Sequence, residues 1–288
     1  MKHTLKITLL MVSLFLMSQL VGLVIVNNYV DYEKTEQTGQ VVYEELPYSI
    51  ERPDVPQQTS FLLILSGIFI GTAMILVLMR FRKMALWKTW FFLSVLICLS
   101  VAFSAFVHSA IAFALAMVFS LIKIFKPNFI VHNFTEMFIY GGIAAIFVPM
   151  MNLFAAVILL LAISLYDMFA VWKSKHMVKL AEFQTSSKLF AGLFVPYKPI
   201  ALGAKKTQKT KSIKIRNAIL GGGDMAFPLM FTGVAMKQFG LFKSLIIPVI
   251  VALALLILLT KAKKDTFYPA MPFLTIGCFV GYAIAFVL

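Results

Sequence analysis

Charge is scarce in this chain, and acidic charge scarcer still. Only 13% of the 288 residues are charged, with 12 Asp or Glu against 26 Lys or Arg. With 61% hydrophobic residues, a soluble domain of this composition would expose far too much apolar surface, so a water-soluble fold is excluded. Cysteine is nearly absent. Cys98 and Cys278 both fall within apolar runs and read as reduced packing residues, with no disulfide framework. No His/Cys cluster suggests a metal, and the Gly221-Gly222-Gly223 run lacks the following Lys of a phosphate loop. No metal or cofactor is therefore expected. A net charge of +14 would suit nucleic acid, but the basic residues gather in connections between apolar runs. That is the pattern of cytoplasmic loops, and nucleic-acid binding is set aside.

What the chain does have is long apolar runs, rich in its 28 Phe and 16 Met. Runs long enough to cross about 30 Å of hydrocarbon fall at 5–27, 58–79, 87–107, 109–125, 130–150, 152–173, 217–236, 240–260 and 268–288. The expected fold is all-α, a polytopic membrane protein with nine transmembrane helices. Tight joints near His108 and Met151 imply hairpins of adjacent helices. Lys2 and Lys6 precede the first run, and the even-numbered connections carry the remaining clusters, including eleven Lys or Arg between 173 and 216. The odd connections are acidic or nearly uncharged, with Lys237 as the exception. A cytoplasmic N-terminus and an external C-terminus follow. Three parts are expected: six helices over 1–173, a basic cytoplasmic loop over 174–216, and three helices over 217–288.

The acids are distributed unevenly. Seven of the twelve lie between Asp31 and Asp54, in what reads as a solvated external loop. Glu136, Glu182 and Asp265 are scattered, and the remaining two, Asp167 and Asp224, sit inside apolar runs. An ionised carboxylate in hydrocarbon is expensive, so an intramembrane acid points to function. Asp167 lies five residues before Trp172, about 7–8 Å below the cytoplasmic boundary; Asp224 lies seven residues after Asn217, about 10 Å deep on the same side. Consecutive antiparallel helices would bring the two to one depth. Two carboxyls that close share a proton, one charged and one neutral. Such a pair can hold a water, take its proton as it attacks a carbonyl, and polarise that carbonyl through the protonated partner. This is the chemistry of aspartic peptidases.

The neighbours suit a reactive site. Gly221-Gly222-Gly223 removes side chains where a helix, a substrate backbone or water must approach, and weakens the helix by roughly 1 kcal/mol per glycine. Pro228 has no N–H for the Asp224 carbonyl, which frees that oxygen beside the acid. The last run opens with Tyr268-Pro269-Ala270-Met271-Pro272, a proline-stiffened helix start on the same side.

Tyr166-Asp167, Gly221-Gly222-Gly223-Asp224 and Pro269-Ala270-Met271 resemble the YD, GxGD and PAL motifs of the presenilin and signal peptide peptidase family. The resemblance extends over the nine-run layout and the long sixth connection, and looks closest to archaeal presenilin-type homologues of the cell membrane. It implies intramembrane proteolysis, with Asp167 and Asp224 as the catalytic dyad. It also implies that Tyr166, Gly221, Gly222, Gly223, Pro269, Ala270 and Met271 line the substrate site. Partners would be transmembrane protein or peptide substrates and membrane lipid, with self-association left open. Met271 departs from the motif's Leu, a nearly isosteric change. In the family the ends of the sixth connection can pair with a substrate strand. Here 189–202 is a candidate for dipping into the membrane surface, and Ile213 and Ile215 alternate.

Several residues read more plainly. Glu136, near His132, Asn133 and Tyr140, reads as interfacial or as an interhelical hydrogen-bonding residue. His108 reads as a loop residue. Gly67-x-x-x-Gly71 and Gly141-Gly142 read as close helix contacts. The rival class is a proton-coupled transporter or channel, since intramembrane carboxylates also serve proton relays, but no second glycine-rich segment marks a paired half. A prepilin-type peptidase shares GxGD without the nine runs or Pro269-Ala270, and an inactive homologue would not need both carboxyls.

Overall fold

The fold, taken from a computed structural model, is described for residues 4–81, 84–173, 189–196, 217–262 and 268–288. Among these residues the chain runs α1 (Leu5–Asn28), α2 (Tyr32–Thr38), α3 (Ser60–Arg80), α4 (Met84–Ser104), α5 (Ser109–Phe125), α6 (Phe129–Phe147) and α7 (Leu153–Met168). A hairpin of β1 (Gly192–Pro196) and β2 (Asn217–Gly221) follows, then α8 (Gly222–Ser244), α9 (Ile246–Lys261) and α10 (Met271–Val287). Apart from the short α2, every helix coincides with an apolar run of the sequence. Six are long and apolar enough to cross a membrane; α5, α9 and α10 are shorter apolar helices. Most of the basic loop expected over 174–216, with Ile213 and Ile215, lies outside the described residues.

Short polar caps define the joints. Asn128 and Asn152 accept hydrogen bonds from Ile130 N (3.0 Å) and Ala155 N (2.8 Å), closing the starts of α6 and α7. His108, read from sequence as a loop residue, is the N-cap of α5. The start of the acidic stretch forms α2, capped by Asp31. The Lys34 backbone N–H holds that carboxyl below the usual carboxylate range, and the Lys34 ammonium adds to it.

One apolar core runs from α1 through α6 and α7 to α8–α10, with Met11, Phe15, Leu229 and Phe231 almost fully buried. The first helix is thus a central element, packed on α6, α8 and α9. Glycines set the closest crossings. A Cβ on Gly141 would lie 2.4 Å from Ile25, and one on Gly142 only 2.1 Å from the Cys98 carbonyl oxygen. The expected Gly141-Gly142 contact is therefore real. Gly67 and Gly71 differ: among the described residues nothing lies within 4 Å of a Cβ at Gly67, and Gly71 meets only Trp90 at 3.9 Å. The reason is that α3 is peripheral, with 6% of its apolar window buried, so its small residues face outward.

One expectation needs correction. The seventh run was expected to be helical from 217, yet 217–221 is strand β2 and the helix begins at Gly222. Three glycines make helix the weaker choice there, while pairing with β1 satisfies the peptide groups of β2 on the edge that faces β1. Of the stretch 189–202, residues 189–196 are described, and 192–196 pairs antiparallel with β2, Gly192 opposite Gly221 and Phe194 opposite Ile219. Lys237, the exception to the charge rule, is also explained. Its ammonium donates to the carbonyls of Met151 (2.7 Å) and Pro149 (3.1 Å) at the α6–α7 joint. Just beyond, Gly240 at φ +73° breaks the helix where a turn into α9 is needed.

Substituting Gly142→Ala forces α4 and α6 apart against a backbone atom. The expected cost is about 1–3 kcal/mol, read as a lower thermal unfolding midpoint in detergent; an unchanged midpoint would contradict this crossing.

Candidate active site

Asp167 stands in the last turn of α7, where the helix widens into a single π-turn over Phe169–Lys173. Its side chain is buried at 8% exposure. The donor it receives comes from another helix start: Met271 N, the first residue of α10, donates to Asp167 Oδ2 at 3.1 Å. Ala270 contributes a second backbone hydrogen bond. Pro269, Ala270 and Met271 are all buried, so the proline-stiffened lead-in is packed against the acid. Pro272 sits in the first turn of α10, where a missing N–H deprives the helix of nothing. One turn away, Ser164 Oγ and Thr275 Oγ1 meet at 2.7 Å and fix α7 against α10. Tyr166 packs edge-on against Phe69 of α3, ring centres 5.5 Å apart.

Asp224 occupies the first turn of α8. Helix N-termini present unpaired N–H groups, and an acid there is held by them. The carboxylate folds back toward the glycines and accepts from the Gly221 backbone, and a Cβ at Gly221 would sit 3.3 Å from Asp224 Oδ2. Asp224 keeps partial exposure. Gln19 of α1 donates to Met225 O at 2.9 Å, next to the Asp224 carbonyl that Pro228 leaves without a helical donor. The three glycines are not equivalent. A Cβ at Gly222 would lie 2.6 Å from the Tyr140 hydroxyl, whereas one at Gly223 meets only the flexible ring edge of Phe227 at 3.3 Å.

The two acids, 57 residues apart in sequence, come within electrostatic range of each other. Each is held by the N-terminus of a helix, Asp167 by α10 and Asp224 by its own α8. The sequence reading missed Gln19, the Ser164–Thr275 bond and the fixing of β1 by α6; none of these carries a motif. By the charge pattern alone, Lys123 and Lys126 at the fourth connection read as loop cations. In the structure Lys123 is 2% exposed and paired with Glu136 at 2.6 Å. A lysine in the last turn of a helix that starts at Ser109 need not reach the aqueous boundary when a buried carboxylate is within its span.

A helical membrane fold with two acids within its apolar runs, each met by a helix start, defines a class: a multi-pass integral membrane protein with an aspartyl site inside the bilayer. The chain belongs to the family described as signal-peptide peptidase, presenilin aspartyl protease, which it matches over residues 12–288. It is therefore an intramembrane aspartyl protease, and the transporter reading is not favoured. No curated protein matches the chain. Among solved structures it is similar to a presenilin family intramembrane aspartate protease in a C222 crystal form. That match has 18% identity and a TM-score of 0.62, over 97% of this chain and 98% of the other. A P2 crystal form of a presenilin family intramembrane aspartate protease matches at 18% identity and TM-score 0.62, over 96% of both chains.

Gly222→Ala and Gly223→Ala should differ in sign. The first drives a methyl into Tyr140 and is expected to destabilise by about 1–3 kcal/mol. The second is expected to be neutral or to stabilise by up to about 1 kcal/mol through helix propensity. Paired thermal unfolding curves decide it, and equal shifts would refute the distinction.

Proposed function

We propose that the chain is an aspartic endopeptidase of membrane-spanning segments in which Asp167 and Asp224 form the catalytic dyad. The convergence of two intramembrane carboxyls, each supplied with donors by a helix start, is the observation that carries this reading. In the resting pair one carboxyl is ionised and the other protonated, because two neighbouring charges inside a low dielectric are too costly. A water between them gives its proton to the ionised member as its oxygen adds to the scissile carbonyl carbon. The protonated member meanwhile donates to the carbonyl oxygen. Collapse of the tetrahedral intermediate returns a proton to the departing amide nitrogen and restores the shared-proton state.

Substrates are segments of single-span proteins or remnant signal peptides, and they must unwind locally, since a helical amide is shielded and already hydrogen-bonded. The hairpin offers a place for the unwound strand. Gly192 and Phe194 turn their backbone groups toward α6, so by antiparallel pairing Ile219 and Gly221 of β2 turn theirs away from β1. Ile219 is 37% exposed. An extended peptide added to that edge would run alongside the residues leading to Asp224. Pro269, Ala270, Met271 and Tyr166 would bound the opposite wall. The distribution of Lys and Arg supports a cytoplasmic N-terminus, with the acid pair nearer the cytoplasmic side.

Asp167→Asn and Asp224→Asn should each reduce cleavage of a tagged single-span protein in detergent by roughly a thousand-fold or more. Neither should lower the unfolding midpoint, since each removes a buried acid. Appreciable cutting by either variant would overturn the dyad. Rate should also fall as pH rises far enough to strip the shared proton, because a doubly ionised pair has no donor for the carbonyl. A rate that climbs steadily into the alkaline range would contradict proton sharing.

Replacement of helix-weakening residues near the substrate's cut point by Leu should slow turnover; unchanged rates would show that unwinding is not limiting.

A further inference from the structure

Lys123 and Glu136 are buried charges that the proposed chemistry does not use. Their side chains are each 1% exposed, with Nζ 2.6 Å from Oε1. The ammonium also donates to Thr135 Oγ1 (3.0 Å) and meets His132 Nδ1 (3.3 Å). The other carboxylate oxygen, Glu136 Oε2, accepts from Gly192 N at 2.9 Å and from the Tyr140 hydroxyl. A buried ion pair is rarely worth more than an apolar pair of the same volume, so stability alone does not account for it.

Its neighbours show what it holds. His132 Nε2 meets Gly192 O at 2.8 Å, and the Asn133 amide pairs with both Phe194 O (2.9 Å) and Phe194 N (3.0 Å). His132, Asn133 and Glu136 lie on one face of α6, and together they satisfy the backbone of β1 along the edge away from β2. Side chains of a helix thus stand where a third strand would be. Gly192 is fixed in kind as well as in place. It has φ +140°, and a Cβ there would lie 2.1 Å from Leu220 O. A strand slip of one residue turns every side chain to the other face, so a clamp at two alternate residues of β1 admits one register. That register passes through β2 to Gly221 and Asp224, and Tyr140, held by Glu136, lies against Gly222 on the same path.

We infer that Glu136, charge-balanced by Lys123, is a positioning residue that sets the register of the β1–β2 hairpin and so selects which substrate bond reaches the acid pair. This rests on the dyad reading above. Two consequences follow from the geometry. The clamp closes one edge of the hairpin, so substrate adds only at β2. Loosening it changes where the substrate is cut before it prevents cutting.

The test compares wild-type protein, the double variant K123M/E136L and Asn133→Leu on a tagged single-span protein in detergent. Fragment masses are read together with kcat and KM. The double variant removes both charges at once and strands neither. The expected result is a shift of cleavage to neighbouring peptide bonds, with kcat lower by about 10- to 100-fold, as misplacement on the order of 1 Å brings, and KM changed far less. Unchanged fragments from the folded double variant, whether at full or reduced rate, overturn the inference. Should the double variant fail to fold, Asn133→Leu decides on the same readout, because it releases Phe194 without touching a charge; wild-type fragments from it overturn the proposal. D224N runs alongside: cutting by that variant condemns the dyad and not the clamp.

Discussion

A polar group inside hydrocarbon must find its partner within the protein, and most of this structure can be read as the working out of that demand. Water cannot supply the hydrogen bond, so each buried acid is met by a donor built into the backbone or by a paired cation. Helix starts are the cheapest source, since their first N–H groups have no partner within the helix. The chain places α10 to begin at Asp167 and α8 to begin just before Asp224. Both starts are sharpened by sequence, by Pro269 and Pro272 in one case and by the glycine run in the other. The result is two acids held by backbone N–H groups that do not titrate with them, an arrangement that suits the proposed sharing of one proton.

The same demand explains a hairpin in a helical membrane protein. A strand inside the bilayer has two edges of unpaired peptide groups. One edge of β1 is taken by β2 and the other by His132, Asn133 and Glu136. Burying the glutamate then requires Lys123, whose long stem spans from the end of α5 to reach it. Each polar group brings in the next, until the network closes on Tyr140 beneath Gly222. The chain of dependence begins at a strand and ends beside Asp224.

Much of this was legible in the sequence. Hydropathy alone placed the long helices, because a run of twenty apolar residues has few other uses. Asp167 and Asp224 stood out because acids are so rare in those runs, and the glycine and Pro-Ala segments beside them are motifs of local backbone. The start of α8 was misjudged because hydropathy cannot separate strand from helix in a short apolar run such as Ala218-Ile219-Leu220. The Lys123–Glu136 pair was hidden for a different reason. Thirteen residues and a turn separate them, and a lysine near the end of an apolar run reads as a boundary charge until its partner is seen. Gln19 gave no signal either, since one amide in a long helix looks like tolerated noise rather than a donor to Met225 O.

The central place of α1 follows from small residues rather than from any polar motif. Gly22 lets Leu229 of α8 and Gly141 of α6 approach together; a Cβ there would lie 2.3 Å from Leu229. Without a hydrophobic force to drive helices together in lipid, such close contact is what holds them. Gln19, one turn earlier on α1, reaches the backbone of α8 from that packed position. The first helix thus fixes the height of α8, the one that carries Asp224, relative to α6, the one that carries Glu136. Steric fit at Gly22 and Gly141 and the polar clamp on β1 therefore act on the same coordinate, the depth and register of the segment 217–224.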